Sequence, residues 1–250
     1  MILERRLSSN ALKLIAAAAM LIDHVGAILL PNILLLRAIG RLAFPMFAFM
    51  ISEGAKYTRS KTRYFLSVFL TGVVCQIVNY FFNSGSLEMC ALITFSISIL
   101  LIYLLFYSKK IFFESGLPLW LRITLPSLIM LSAVAAVYLI NRRLDIDYGF
   151  FGCLLPVFAS LVDFRGVRVP AYIDRFDFFG MRLALFLIGV LRLAVYYGGV
   201  QYLSLLSLVF LIFYSEKRGE KNMKYFFYLF FPLHLAFLYG LYMVLVYFFR

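Results

Sequence analysis

An Asp23-His24 pair lies inside an apolar run of Ala, Leu, Ile and Met at residues 11–30. The run is long enough to cross a bilayer. Ionisable groups in hydrocarbon are costly unless paired or wetted, so the pair marks a functional site by default. A neutral imidazole accepts a proton at working pH. General-base work needs such a group and a partner that orients it. Neighbouring side chains on a helix point about 100° apart, so Asp23 need not touch His24 and is free to hold an arginine or a neighbouring helix. Lys13 lies eleven residues before His24, about three turns and roughly 16 Å away along one face. His24 and Asp23 are the candidate catalytic residues.

Other polar residues sit where an apolar helix should not carry them. Arg37 and Arg41 are four apart and stack on one face of the next apolar run. They read either as side chains snorkelling to an interface or as an electropositive wall for an anionic ligand. Glu53, near the other end of that run, is an ion-pair partner for Lys13 or Lys56, or an acid beside the site. Asp145 and Asp147 precede Tyr148-Gly149, and Asp147 suits a helix N-terminus, where carboxylates are favoured. His234 follows Pro232 on the last apolar run, where the missing N–H loosens the backbone ladder and offers the imidazole a carbonyl. Gln76, Asn79 and Thr94 are suited to interhelical hydrogen bonds.

A histidine base suits deprotonation of an amine or hydroxyl that then attacks an activated acyl group. Nearby Lys and Arg suit the phosphates of a carrier such as coenzyme A. An intramembrane His-Asp pair also suits a proton-coupled transporter. Cys75, Cys90 and Cys153 are scattered and, with two separated histidines, suggest neither a disulfide frame nor a metal site.

The elements that must position these groups are membrane spans. The 250-residue chain is 64% hydrophobic, 18% aromatic and 14% charged, with mean hydropathy +0.95, far from the composition of a soluble domain. Continuous apolar runs exclude a β-barrel. The expected fold is all-α: a single polytopic domain over residues 1–250 with about nine transmembrane helices (range eight to ten). The spans are expected at 11–30, 33–54, 64–82, 90–107, 122–140, 148–162, 181–196, 201–214 and 224–249. The segments 148–162 and 201–214 are short enough to be tilted or re-entrant. Pro31, Pro118 and Pro126 are expected near helix ends, and Pro45, Pro156 and Pro232 inside spans. The first run exceeds a signal-peptide core and is expected to be a retained helix.

With the N-terminus in the cytoplasm, 17 Lys and Arg fall in cytoplasmic segments, including Arg5, Arg182 and Lys224, against three (Arg142, Arg143 and Arg250) on the other side. That split follows the positive-inside rule. It explains the net charge of +12 through membrane lipid rather than nucleic acid. The polar stretch 163–182 reads as a cytoplasmic loop with room for a surface helix.

The run Leu12-Lys-Leu-Ile, then Met20-Leu-Ile-Asp-His-Val-Gly26, then Arg37-Ala-Ile-Gly-Arg-Leu-Ala-Phe-Pro-Met-Phe-Ala-Phe and Glu53-Gly54 resembles the TraX family, named for the F-pilin acetylation protein. The stretch Asp147-Tyr148-Gly149 and the closing run from Gly219 to Leu235, with Phe-Phe-Pro-Leu-His, match it as well. More distantly, a basic residue, ten residues and then His is similar to the pattern of the acyltransferase 3 family. The resemblance implies an acetyltransferase of the bacterial inner membrane with acetyl-coenzyme A as donor and no metal. The implied acceptor is an amine or hydroxyl, such as the N-terminus of a membrane or exported protein. It also implies His24 at the catalytic centre, Lys13, Arg37, Arg41 and Lys224 on the donor, and Glu53, Asp147, Tyr148 and His234 around the substrate. Two positions depart from the family pattern: Phe231 stands where a Tyr is expected before Pro, and Leu92-Ile-Thr-Phe lacks an expected Asn. The alternatives are a small proton-coupled transporter and a non-enzymatic secretion or pilus assembly protein.

Overall fold

The computed structural model describes residues 6–82 and 88–248. Arg5, Arg250 and Phe249, used above in the charge balance and the last span, lie outside the described residues. Among the described residues, seven stretches are helical, long and apolar enough to cross a membrane, and two shorter apolar helices, Gly149–Ser160 and Gly199–Ile212, stand where the sequence places its short spans. The chain is an all-α multi-pass membrane protein.

Helix α1 (Ser9–Ile28) opens on Ser8, whose hydroxyl accepts the Ala11 N–H at 3.2 Å, satisfying a donor that the helix start leaves free. The second crossing is not one helix. It comprises α2 (Leu34–Gly40) and α3 (Ala43–Tyr57), interrupted at Arg41-Leu42. Pro45 has no N–H to give Arg41 O, which accounts for the break, and in the first turn of α3 its ring is tolerated. After α4 (Lys61–Phe82), α5 (Ala91–Phe113) and α6 (Leu119–Asn141) comes the short α7 (Gly149–Ser160). At 12 residues, α7 is about 18 Å long and covers only part of the hydrocarbon core. The one-turn α8 (Ala171–Asp174) lies in the polar loop, and α9 (Phe179–Tyr197) follows. Gly198 (φ 65°) and Gly199 (φ 49°) then turn the chain into an eight-residue 3-10 helix (Gly199–Leu206). It continues as α10 (Ser207–Ile212), and α11 (Lys224–Phe248) closes the fold.

The core forms around α3, which buries Phe44, Met46, Ala48, Phe49 and Met50 against α1, α5, α7 and α10. Helix α11 packs on α4 and α1, and α6 packs on α5 and α7. The chain's polar bonds gather at two ends. At the N-terminal end, Leu7 pairs with the segment before α11 (Leu7 N to Phe213 O, 2.9 Å). Lys56 reaches Asp163 at 3.4 Å there, and Lys109 donates to Leu161 O at 2.6 Å. At the opposite end, Asp147 N donates to Met89 O at 2.9 Å and Thr94 Oγ1 to Asp147 O at 2.7 Å. Gln76 takes the Cys90 N–H at 3.0 Å and Tyr239 reaches Asn79 at 3.4 Å, the interhelical bonding expected of these polar residues.

Three sequence expectations need correction. Arg182 is not a loop charge: α9 begins at Phe179 and carries it, buried, into the protein. Pro126 lies inside α6 rather than at its end. The span expected at 201–214 begins as a 3-10 helix, because two consecutive glycines at positive φ start it away from α geometry.

Candidate active site

His24 lies four residues before the end of α1, and His234 lies two residues after Pro232 in α11. The two rings meet: His234 Nε2 is 2.9 Å from His24 Nδ1, and His234 Nδ1 is 2.8 Å from Phe230 O. The bond pattern fixes the protons. A carbonyl oxygen only accepts, so His234 Nδ1 carries a hydrogen and donates it to Phe230. With both rings neutral, His234 Nε2 is then an acceptor, and His24 Nδ1 donates to it. That leaves His24 Nε2 with a bare lone pair, the form a general base requires. Phe230 stacks on the His234 ring at 4.9 Å between centroids, and His234 is buried, so the second imidazole is held in place by stacking and by its bond to Phe230 O. The accepting carbonyl is Phe230 O, four residues back from His234, rather than Tyr228 O, whose partner Pro232 removes.

Asp23 turns away from His24 and clamps the arginines. Its carboxylate meets Arg37 Nη1 at 3.0 Å and Arg41 Nη2 at 3.2 Å. Arg41 Nε donates to Arg37 O at 3.3 Å and its Nη1 to Gln201 Oε1 at 3.4 Å. The clamp depends on close approach of α1 and α2: a Cβ on Gly40 would overlap the Asp23 carboxylate, and one on Gly26 would come 2.7 Å from Leu36 Cβ. Arg37 keeps 35% of its side chain exposed against 16% for Arg41, so Arg37 is the arginine open to a ligand.

Tyr148 caps α7 in the left-handed region (φ 57°), uncommon for a residue with a side chain. Its ring stacks on Phe44 at 3.7 Å. Burial, and then the nearby Glu88 charge, raise the Asp147 carboxyl to about 7, with Arg41 pulling the other way. The folded protein therefore holds this proton more tightly than the unfolded chain. Stability from this group is present below about pH 4 and declines as pH rises to about 7. An Asp147→Asn variant is expected to lose that decline, read as melting temperature of the detergent-solubilised protein between pH 4 and 8. An unchanged slope would remove Asp147 as its source.

The structure thus gathers His24, His234, Asp23, Arg37 and Arg41 at the end opposite the N-terminus, with Asp147 and Tyr148 beside them. It does not gather Lys13, Lys224 or Glu53 there. Lys13 is near the other end of α1, its ammonium 5.9 Å from the Phe227 ring centre. Lys224 is the first residue of α11 and lies over Tyr225 and Tyr228. Glu53 pairs with Arg182 and accepts from Tyr214 at 3.0 Å, so its partner is neither Lys13 nor Lys56. Sequence reasoning missed Arg182, Tyr214 and Gln201. The apolar run around Arg182 was the available signal for that residue; Gln201 had none.

Two clefts of about 520 and 550 Å³ lie elsewhere, one beside Leu7 and Phe213 and one between α5, α6 and α7; neither reaches His24. Among the described residues no group of three or more His, Cys, Asp or Glu could hold a metal ion.

A family model described as "TraX protein" matches residues 8–242. An "uncharacterized protein" of Rickettsia prowazekii (strain Madrid E) is 34% identical over 107 residues, 43% of this chain. The match covers 41% of that relative's length. No solved structure matches.

Proposed function

Starting from the membership of this chain in the TraX family, we propose that it is an integral membrane acetyltransferase that moves an acetyl group from acetyl-coenzyme A to an amine or hydroxyl, such as the N-terminus of a pilin-like exported protein. The observation that carries this reading is the His24–His234–Phe230 chain, which leaves His24 Nε2 as an oriented base. The acceptor nitrogen attacks the thioester carbonyl carbon while its proton passes to His24 Nε2. The tetrahedral intermediate collapses, the C–S bond breaks, and the thiolate takes the proton back. His234 is the positioning residue: it holds the His24 tautomer and shares the positive charge as the proton arrives.

Arg37 and Arg41 supply positive charge beside the reaction, and the Asp23 clamp sets where that charge sits. Tyr148 and Asp147 border the acceptor side. Lys13 and Lys224, with the other basic groups of the N-terminal end, hold the donor's phosphates. The positive-inside bias supports a cytoplasmic N-terminus in the inner membrane of a bacterium, which puts the donor at that end. The carrier then reaches about 16 Å along α1 from Lys13 to His24.

The test is transfer of labelled acetyl from acetyl-coenzyme A in membranes containing the chain, with mass spectrometry of membrane and secreted proteins. No chain-dependent acetylation would overturn the reading. A His234→Ala variant is expected to retain acceptor binding and lose about 10²-fold in turnover, less than loss of the base itself. Equal losses for the two histidines would assign the base to the pair rather than to His24.

One observation favours the transporter reading. An interrupted crossing, α2–α3, meets a short helix that spans only part of the bilayer, the 3-10 helix with α10, through Arg41 and Gln201, and broken crossings mark the sites of transporters. Flux in proteoliposomes with no covalent product would select it.

A further inference from the structure

The cleft of about 550 Å³ between α5, α6 and α7 lies toward the N-terminal end of the fold, where Lys109 on its α5 side donates to Leu161 O beyond α7. Its α6 wall runs from Ile123 to Val134. That is about 16 Å of helix, close to half of a hydrocarbon core about 30 Å thick, so the cleft has the length of one leaflet. Among the described residues that line it, the polar ones are Lys109 and Ser127. Both are engaged: Lys109 also reaches Asp163 O at 3.2 Å, and Ser127 donates to Ile123 O at 2.8 Å. An apolar shaft with no free polar partner does not hold water. Leu131 in its wall is 65% exposed, so the cleft opens on the lipid-facing side of α6.

One end of this shaft carries positive charge. Arg122 directly precedes the wall residue Ile123, and its guanidinium donates to Leu117 O and, at 3.5 Å, to Phe113 O. Phe113 is itself a wall residue. These carbonyls fix the guanidinium beside the cleft without neutralising it, and none of the ion pairs among the described residues involves it. Lys109 and Lys110 sit in the last turns of α5 on the same side, and the one acid of the α5–α6 turn, Glu114, is exposed. Trp120, the single tryptophan of the chain, is 64% exposed two residues before Arg122. Exposed tryptophans on membrane helices favour the headgroup level, which places Arg122 at the depth of lipid phosphates.

We propose that this cleft is a binding site for one anionic phospholipid, with an acyl chain along α6 between Ile123 and Val134 and the phosphate against Arg122. The inference does not depend on the acetyl transfer proposed above. Lipid tails are as apolar as the cleft, so hydrocarbon contact alone selects no lipid. The shaft supplies shape, and selection comes from the cation at its mouth, as in other basic pockets between membrane helices on the cytoplasmic side. The occupant also completes the packing of α6, which by itself fully buries only Pro126 and Val137.

The test reconstitutes the protein in equimolar phosphatidylglycerol and phosphatidylcholine, strips it stepwise with detergent and weighs it by native mass spectrometry. One phosphatidylglycerol is expected to remain at a detergent level that removes the other lipids. Arg122→Gln is expected to weaken its binding about fivefold, the worth of one cation at the headgroup level, and Arg122→Lys to keep most of it. Ser127→Phe combined with Val134→Phe, which fills the shaft from exposed and half-exposed positions, is expected to abolish retention with Arg122 intact. Trp120 gives a second readout in bilayers: phosphatidylglycerol brominated in its acyl chains should quench its fluorescence more than brominated phosphatidylcholine, and Arg122→Gln should equalise the two. Equal retention or equal quenching by both lipids in the parent would overturn the anionic site. Retention unchanged in Arg122→Gln would overturn the phosphate contact, and retention unchanged in the filled variant would overturn the cleft as the seat of the acyl chain.

Discussion

Replacement of His24 by alanine is expected to lower acetyl transfer by about 10³-fold or more while leaving the protein folded and inserted. A positioned general base contributes about 10²–10⁴-fold, and no second group in the site replaces it. Asp23 is occupied by two arginines, and His234 has committed its Nδ1 hydrogen to Phe230 and its Nε2 to His24. The variant removes a partly buried ring at the end of α1, so the packing loss is small beside the chemical one. The measurement is initial-rate transfer of labelled acetyl in membranes at matched expression, with monodispersity in detergent as the folding control. A folded His24→Ala protein with full transfer would end the mechanism. Asp23 offers a contrast at the neighbouring position: its removal leaves two arginines without their carboxylate, so loss of folding is expected to accompany loss of transfer.

Removing Glu53 is expected to destabilise the fold by about 3–5 kcal/mol, the range for breaking one partner out of a buried ion pair. Glu53 is 4% exposed, Arg182 2% and Tyr214 2%. Arg182 bonds one carboxylate oxygen and Tyr214 the other. In Glu53→Ala the guanidinium keeps the more exposed Glu216 as its carboxylate, at 3.6 Å, while its Nε already lacks a protein partner. The arrangement ties α3 to α9 and to the segment after α10, so the loss is expected as cooperative unfolding of the N-terminal end. Denaturation of the detergent-solubilised protein reads it. Combining Glu53→Leu with Arg182→Met should recover most of the stability, because the desolvation of both charges disappears together. A Glu53→Ala protein as stable as the parent would show that this pair does not hold the N-terminal end. The result also bears on function: a carboxylate with both oxygens engaged is a structural group, which sets Glu53 apart from the substrate contacts the family resemblance implied.

Much of the fold was legible because its signals are one-dimensional. Continuous apolar runs announce membrane helices, and all nine expected spans correspond to helical segments, seven long and two short. The interruption at Arg41-Leu42 is not legible in the sequence, although Pro45 is a residue that weakens a helix. A proline states that a hydrogen bond is lost, but not that one helix ends there and another restarts; that shows only in the folded chain. Arg182 reads as a loop charge in the sequence because a basic residue near a span edge looks the same whether it lies in the loop or in the helix. Inside α9 it pairs with a carboxylate 129 positions away in the chain, a partner no local pattern announces.

The sequence by itself determined the class, the spans, the family and the two histidines as costly residues in an apolar setting, since burial cost is a property of each residue and its immediate run. What only the tertiary structure decided is partnership. His24 meets His234 across 210 positions, Arg41 meets Gln201 across 160, and Lys13 stays at the far end of its own helix. Helical periodicity fixes which face a side chain occupies, but not which other helix arrives there. That depends on how α1, α2, α11 and the 3-10 helix pack, and with it the assignment of the bare nitrogen on His24.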